Sequence, residues 1–410
     1  MKLTKLEKYW ILYDVGNSAF VLLVTTIMPI YFNYLAGSAG LSDVDYLAYW
    51  GYAASIATLI VALSGPLLGT LADNKDYKKP IFLASLVVGT VGCLALGLAK
   101  TWLAFLVVYI VAKVGYAASL VFYDAMLTDV TEDSRMDLVS SQGYAWGYIG
   151  SCVPFAVCLV LVLGADGLGI SMELAMNLSF AVTAIWWAVC TIPLLKHYKQ
   201  LHYVAERHTA GDTFRRLWDT LRHVKQEKNI FLFLLSFFLY IDGVYTIIDM
   251  ATAYGSALGL GSKDLLLALL VTQLVAFPFA ILFGRLSMKI KNSQLITVCI
   301  AAYLGIGIFA IFLRHPWQFW TLAVLVGMFQ GGIQALSRSY FAKIVPAEKS
   351  GEYFGLMDIC GKGAAFLGTT LVAAVSQATG SMNLGVAVIS VLFLAGLLVF
   401  RKAAALNQET

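Results

Sequence analysis

Ionisable side chains stand inside several long apolar stretches of this 410-residue sequence. Asp14, Asp124, Asp242 and Arg338 each lie within such a stretch. A charge in a hydrocarbon environment is costly, so residues of this kind usually pair with one another, bind an ion or a solute, or relay protons. Their presence indicates polar chemistry carried out in a nonpolar setting.

Two stripes of polar residues follow helical spacing. The first holds Asp242, Tyr245, Thr246 and Asp249, and the second holds Gln330, Gln334 and Arg338. Residues three and four positions apart share one face of a helix. No acid lies three or four residues from Arg338, and its guanidinium can fork onto a carboxylate or phosphate. We predict that Arg338 contacts an anionic group of a bound solute and Asp242 a cationic one, with an arginine–aspartate bridge as the alternative. Tyr245, Gln330 and Gln334 are further candidate solute contacts on the same stripes.

Asp14 and Asp124 are candidates for proton transfer. Burial in a low-dielectric medium favours the neutral form of a carboxyl group, which lets it take up a proton near neutral pH. Lys113 lies on the same stretch as Asp124 but about 16 Å away along a helix, too far to hold it ionised. Asn17 is on the same helical face as Asp14 and Tyr123 precedes Asp124, so both are candidate solute contacts.

Asp358 and Lys362 are four residues apart on another apolar stretch. Side chains at this spacing meet on a helix surface, so they can neutralise each other. We expect a structural ion pair at this position.

The elements that must carry these residues are membrane-spanning helices. Hydrophobic residues make up 60% of the chain and charged residues only 13%, which is about half the share of a soluble domain. Each span needs roughly 20 apolar residues. Such stretches, numbered here as spans 1 to 12, lie at about 10–35, 47–72, 80–99, 102–129, 141–163, 172–195, 230–254, 264–288, 294–313, 317–344, 352–377 and 382–400.

This pattern predicts an all-α polytopic membrane protein with twelve transmembrane helices in two six-helix pseudo-repeats. The expected parts are an N-terminal bundle (1–195), a linker (196–229) and a C-terminal bundle (230–410). An internal repeat supports the division, because Gly69 near the end of span 2 and Gly284 near the end of span 8 are separated by 215 positions. The loops that begin near Asp129 and Ile344 show the same separation.

Lysine and arginine are unevenly distributed between the two sets of loops. One set, which includes both termini and the linker, holds 22 of them and the other set holds 3. Cytoplasmic loops carry the excess of positive charge, so both termini are expected in the cytoplasm. The basic linker fits a solvated connector beside anionic lipid. It lacks the aromatic interleaving of a nucleic-acid site, so no nucleic-acid partner is expected.

Span 2 ends in Gly69-Thr70-Leu71-Ala72-Asp73, followed by three lysines at positions 75, 78 and 79. This resembles the loop signature of the major facilitator superfamily. In that family the glycine permits close helix approach and the aspartate stabilises one access state. The resemblance implies a gating role for Gly69 and Asp73. Asn74 departs from the pattern, since a basic residue is usual there.

Five further segments narrow the resemblance. They are Tyr13–Phe20, Phe122–Ala125, Ser140–Tyr148, Gly331–Ser339 and Gly351–Gly355. Together they resemble the superfamily branch named for the vacuolar amino-acid effluxer linked to autophagy. The resemblance covers nearly the whole chain and implies a transporter of small polar solutes. It also implies that spans 1, 4, 7 and 10, which hold most of the charges described above, line a central cavity.

Other classes of protein are less compatible with the sequence. An intramembrane enzyme would need a nucleophile–base pair or metal ligands within spans, and the only histidine outside the linker is His315, in a turn. The six cysteines lie in apolar stretches without ligand spacing, and no phosphate-binding glycine loop is present. We therefore expect no catalytic activity, metal or cofactor. A channel would need a pore filter, and the repeat argues instead for two halves that rock.

The sequence therefore predicts a monomeric secondary transporter that moves a small polar or zwitterionic, amino-acid-like solute by alternating access, with coupling to protons. A drug or metabolite efflux pump of the same fold is the alternative. The absence of a glycosylation sequon in any loop favours the inner membrane of a bacterium.

The topology can be tested by labelling introduced cysteines. Ser42→Cys and Ser262→Cys should react with a membrane-impermeant thiol reagent in sealed cells, because both positions fall in loops poor in positive charge. Thr209→Cys, in the linker, should react only in inverted membranes. Equal labelling of positions 42 and 209 in sealed cells would contradict this orientation.

Overall fold

The computed structural model describes residues 2–205, 227–257 and 259–406. Most of the predicted linker, residues 206–226, lies outside the described residues. Twelve long helices form the described part, and all are apolar enough to cross a membrane. Their bounds are Lys5–Ser38, Asp43–Ala72, Lys78–Leu98, Trp102–Ala125, Asp133–Leu163, Met172–His197, Lys228–Ala257, Ser262–Leu286, Asn292–Ile311, Pro316–Ile344, Ser350–Thr379 and Met382–Leu406. These are spans 1 to 12, and the prediction of twelve spans is confirmed.

Several helices extend beyond the apolar stretches that predicted them. Span 5 begins at Asp133 rather than near residue 141, because the polar residues ahead of the apolar stretch continue the same helix.

The start of span 1 shows how the sequence determines where a helix begins. Thr4 accepts a hydrogen bond from the Glu7 backbone N–H, and the Glu7 carboxylate accepts one from the Thr4 N–H. This reciprocal cap satisfies two backbone donors that a helix start leaves free. Arg135 joins the cap to span 5 through Glu7 Oε2, at 2.7 Å.

The two halves repeat the same helix contacts, with each span of the first half replaced by the span six places later. Spans 1 and 5 pack together, as do spans 7 and 11. Likewise, spans 1 and 6 correspond to spans 7 and 12, and spans 2 and 4 to spans 8 and 10. A tyrosine–serine hydrogen bond of 2.6 Å recurs as well, between Tyr13 and Ser119 in one half and Tyr240 and Ser337 in the other. The six-helix pseudo-repeat is therefore visible in the packing.

Small residues let the halves approach each other at two equivalent crossings. At the crossing of spans 2 and 11, a Cβ added to Gly69 would lie 2.2 Å from the Gly351 carbonyl oxygen. At the crossing of spans 8 and 5, a Cβ on Gly284 would lie 2.7 Å from the Ser141 Cβ. Both crossings lie at the end of the bundle that carries Thr4 and Leu406, which is called the terminal side below. Close helix approach of this kind is what small residues provide in membrane proteins.

The crossing of spans 2 and 11 can be tested by adding a single methyl group. Gly69→Ala should destabilise the protein by about 1–3 kcal/mol, because the new methyl group overlaps the backbone of span 11. The expected readout is a lower Tm for the purified protein in detergent. Gly305→Ala is the control, since nothing lies within 4 Å of a Cβ there. An unchanged Tm for Gly69→Ala would show that the helices separate at no cost.

Candidate functional site

A central cavity of about 920 Å³ lies between the two halves. Spans 2, 4 and 5 form one wall, and spans 7, 10 and 11 form the other. Its ionisable lining residues carry both signs of charge: Lys113, Asp124, Arg338, Asp358 and Lys362. Three tyrosines add hydroxyl groups: Tyr116, Tyr144 and Tyr245. The cavity runs from Arg338 away from the terminal side, along span 2 as far as Ala54.

Arg338 reaches from span 10 into the opposite half. Its Nη1 donates to Asp124 Oδ1 at 2.9 Å, its Nε donates to the Ser140 hydroxyl at 2.9 Å and its Nη2 donates to the Ser140 carbonyl at 3.0 Å. Nη2 also lies 3.6 Å from Asp14 Oδ2. The arginine is only 3% exposed. Its charged partners in the structure are therefore two aspartates of the N-terminal half.

Three aromatic rings surround the same guanidinium. Its central carbon lies 4.6 Å from the Trp10 ring centre, 5.4 Å from that of Tyr123 and 4.4 Å from that of Tyr144. Cations are attracted to the faces of aromatic rings, and more so where water is excluded. The rings therefore add to the stabilisation that the two carboxylates provide. Trp10 is fixed in turn, because its Nε1 donates to the Tyr123 carbonyl at 3.0 Å.

The two aspartates around Arg338 differ in their surroundings. The Asp14 side chain is 8% exposed, and its carboxylate also accepts from the Tyr123 hydroxyl at 3.0 Å and from Asn17 Nδ2 at 3.4 Å. The Asp124 side chain is 27% exposed and lines the central cavity. Of the two predicted proton carriers, only Asp124 faces the space that a solute would occupy.

The structure separates the predicted solute contacts into two groups. Tyr245, Gln334 and Arg338 line the central cavity. Asn17 and Tyr123 are buried behind its wall, where they hold Asp14. This placement corrects the expectation that both lie on the wall.

Asp242 and Gln330 also lie away from the central cavity. Asp242 is fully buried behind the wall, so it is not positioned to bind a cationic group beside Arg338. Gln330 lines a separate small pocket of about 70 Å³ between spans 7, 8 and 10. Each of the two polar stripes predicted from the sequence therefore has some residues on the cavity wall and others away from it in the C-terminal half.

Sequence reasoning missed several residues that the structure brings to the site. Ser140, Tyr144 and Trp10 hold Arg338. Helical spacing places Trp10 on the face of Asp14 and Ser140 on the face of Tyr144, because each pair is four residues apart, but it links none of them to Arg338. Asp358 and Lys362 form the expected ion pair, but they do so on the cavity wall. Within the described part of the chain, no group of three His, Cys, Asp or Glu side chains could hold a metal ion.

A family model described as "Vacuole effluxer Atg22 like" matches residues 4–406. The chain belongs to this Atg22-like family. The MFS-type transporter YxiO of Bacillus subtilis (strain 168) is 43% identical over 404 residues, which cover 97% of this chain and 94% of that protein. Autophagy-related protein 22-1 of Aspergillus niger is 25% identical over 282 residues, which cover 62% of this chain and 45% of that protein. The chain thus matches less than half of the fungal relative.

Solved structures share the fold of this Atg22-like protein. The fucose:proton symporter FucP of Escherichia coli has a TM-score of 0.73 at 14% identity, over 97% of both chains. The human organic anion transporter MFSD10 has a TM-score of 0.72 at 13% identity, over 96% of this chain and 98% of that one. Family and fold together identify an integral membrane secondary transporter of the major facilitator superfamily, as the sequence motifs predicted.

In this Atg22-like transporter, Asp73 joins the two halves on the terminal side. Its Oδ1 accepts from the Gly351 N–H at 2.8 Å and its Oδ2 from the Glu352 N–H at 2.9 Å. Both donors belong to the first turn of span 11, where a helix has free N–H groups and carries positive partial charge. Asp73 thus caps a helix of the opposite half, and its gating role stays a prediction.

Neighbouring charges strengthen the same closure. Lys78 is fully buried, 3.2 Å from Asp129 and 2.9 Å from the Ser350 hydroxyl. On the other flank of the bundle, Lys343 lies 2.7 Å from Asp137. The start of the linker covers this region, because Asp129 accepts from the His202 N–H at 2.9 Å. Lys343–Asp137 is therefore an ion pair between the halves on the terminal side, and Lys78 links the halves through the Ser350 hydroxyl.

The closing role of Asp73 can be tested by removing its charge. Asp73→Asn should shift the protein towards forms that are open on the terminal side, because the amide keeps only one of two acceptors and loses its attraction to the helix start. Spin-label distances between the ends of spans 2 and 11 should broaden to longer values. Asp76→Asn makes the same charge change at an exposed position three residues further on and is the control. Identical distance distributions for all three proteins would reject the closing role.

Proposed function

We propose that this protein moves a small polar or zwitterionic, amino-acid-like solute across the membrane in exchange for, or together with, a proton. The observation that carries the proposal is the Arg338–Asp124 ion pair on the wall of the central cavity, at 2.9 Å. While Arg338 is paired with Asp124 it is not available to an anion, and when the pair opens it can bind one. Its acid partner faces the same space and can titrate.

The lining of the cavity supports a solute with both signs of charge. Arg338, Lys113 and Lys362 can meet a carboxylate, while Asp124 and Asp358 can meet an ammonium group. Ligand cavities usually measure about 300–1,000 Å³ and place a few polar groups in an otherwise apolar lining. A large apolar drug would displace the water around these charges, which is costly.

A proton and a solute can be coupled because Asp124 and the carboxylate of a solute compete for Arg338. While Asp124 is ionised, it occupies the Nη1 donor of the arginine. A proton on Asp124 removes most of that attraction, since hydrogen bonds between charged groups are roughly twice as strong as neutral ones. Arg338 Nη1 is then available to the carboxylate of a solute. Asp14 keeps its bonds to Tyr123 and Asn17 and stays 3.6 Å from Nη2, so it holds the guanidinium in place.

Alternating access completes the proposal. The halves meet on the terminal side through Asp73, Lys78 and the Gly69 crossing, whereas the cavity extends towards the opposite side. With both termini in the cytoplasm, this is a conformation closed to the cytoplasm. A rocking motion would break these contacts and expose Arg338 to the other side. A single chain encloses the cavity, which supports a monomer as the working unit. We place this monomer in the inner membrane of a bacterium.

Transport in proteoliposomes tests the proposal directly. Wild-type protein should accumulate an amino-acid-like solute when a pH gradient is imposed. Asp124→Asn should lose this accumulation but keep exchange of the solute between the two sides, because the amide cannot carry the proton. Arg338→Lys should bind the solute at least about tenfold more weakly, since hydrogen bonds to charged groups contribute roughly 1.5–3 kcal/mol each.

Controls separate coupling from general damage. Asp166→Asn changes an exposed acid far from the cavity and should behave like wild type. Full pH-driven accumulation by Asp124→Asn would assign the proton to another group. Uptake of apolar drugs alone would favour an efflux pump with a different substrate class.

A further inference from the structure

A second carboxyl group lies buried in the C-terminal half, apart from the Arg338 cluster. Asp242, on span 7, has no exposed surface. Its Oδ1 accepts from the Gly368 N–H at 2.9 Å and from the Thr246 hydroxyl at 3.4 Å. Its Oδ2 is buried without a hydrogen-bond partner in the described structure. The two oxygens of one carboxyl group therefore have different surroundings.

No charged side chain compensates Asp242 among the residues that the structure describes. The ion pairs of that part of the chain do not include it. Arg338 on span 10 is held by Asp14 and Asp124, and Lys362 on span 11 is held by Asp358. Among the side chains that the structure describes, the remaining titratable groups on the packed spans 8 to 12 are Asp264, Arg285, Cys299, Tyr303, Tyr340, Lys343, Glu352, Tyr353, Cys360, Arg401 and Lys402.

An ionised carboxylate in this position would be very unfavourable. Moving an isolated ion out of water costs far more than moving a neutral group, so buried acids without a cation are normally protonated. A neutral carboxylic acid also fits the contacts. Its carbonyl oxygen accepts hydrogen bonds, as Oδ1 does twice, and its hydroxyl oxygen carries the proton. Oδ2, which accepts none, is the oxygen on which the proton fits.

We propose that Asp242 is a proton-binding site of the C-terminal half and holds a proton in this conformation. The site is separate from the Arg338–Asp124 pair, and the binding of this proton does not depend on the proposed coupling. Together with Asp124 of the proposed coupling, Asp242 gives the protein two titrating carboxyl groups, one on the cavity wall and one behind it.

The position of Asp242 gives its proton a short route to the cavity. Ile241 and Tyr245, on either side of it in span 7, line the cavity wall, and so does Thr369, next to Gly368. Only the thickness of that wall separates the carboxyl group from the cavity. The approach of span 11 depends on Gly368, because a Cβ there would lie 2.2 Å from Asp242 Oδ1. A movement of span 11 relative to span 7 would therefore change the environment of the carboxyl group.

Infrared difference spectroscopy on the full-length protein in lipid nanodiscs tests the proposal without a substrate. At neutral pH the wild type should show a carboxylic acid C=O band, which is absent from carboxylates and shifts in heavy water. Asp242→Asn should remove this band, whereas Asp124→Asn should leave it. Thr246→Val should shift its frequency without removing it, because one hydrogen bond to the carbonyl oxygen is lost. This second variant identifies the band if Asp242→Asn fails to fold.

Three outcomes would overturn the proposal. A spectrum without a protonated carboxyl band in the wild type at neutral pH would show that Asp242 is ionised. A band that survives in Asp242→Asn and does not shift in Thr246→Val would belong to another acid. A band that disappears from the wild type on addition of sodium chloride, but not of choline chloride, would make Asp242 a sodium site instead.

Discussion

The burial of one guanidinium inside the opposite half of the molecule is the interaction on which the rest of this structure depends. Arg338 belongs to span 10, yet all of its described hydrogen bonds go to spans 4 and 5. Taking such a charge out of water costs several kcal/mol, which is recovered only where acids and acceptors are well placed. Asp14, Asp124 and Ser140 meet that requirement. The halves cannot separate here unless water or a solute replaces these partners.

The contacts on the terminal side follow from the same division of the chain into two similar halves. Asp73 at the end of span 2 caps span 11, and Gly284 at the end of span 8 packs against span 5. Each half therefore offers its second helix to the fifth helix of the other. The charged groups differ between the two flanks. Lys78 pairs with Asp129 of its own half and bonds to Ser350 of the other, whereas Lys343 and Asp137 form an ion pair between the halves. The repeat of the two halves determines which helices cross, and the individual side chains determine how strongly each crossing is held.

The sequence was sufficient for the twelve spans, because a lipid environment requires long apolar helices and apolar length can be read directly. It was insufficient for the direction of individual side chains. Asp242 and Tyr245 are three residues apart, which on a helix leaves them about 60° apart around its axis. Tyr245 lines the cavity, whereas Asp242 is buried behind the cavity wall. Likewise, the partners of Arg338 come from spans distant in sequence, and no spacing along the chain encodes that meeting.

The crossing of spans 2 and 11 has a consequence for how the molecule moves. Gly69 and Gly351 meet backbone to backbone, without a side chain that could stretch or rotate to follow a small displacement. Attraction between atoms in direct contact loses about a quarter to a half of its strength over a gap of about 0.5–1 Å. No side chain at this crossing can move to recover that loss, so partly opened forms should be short-lived.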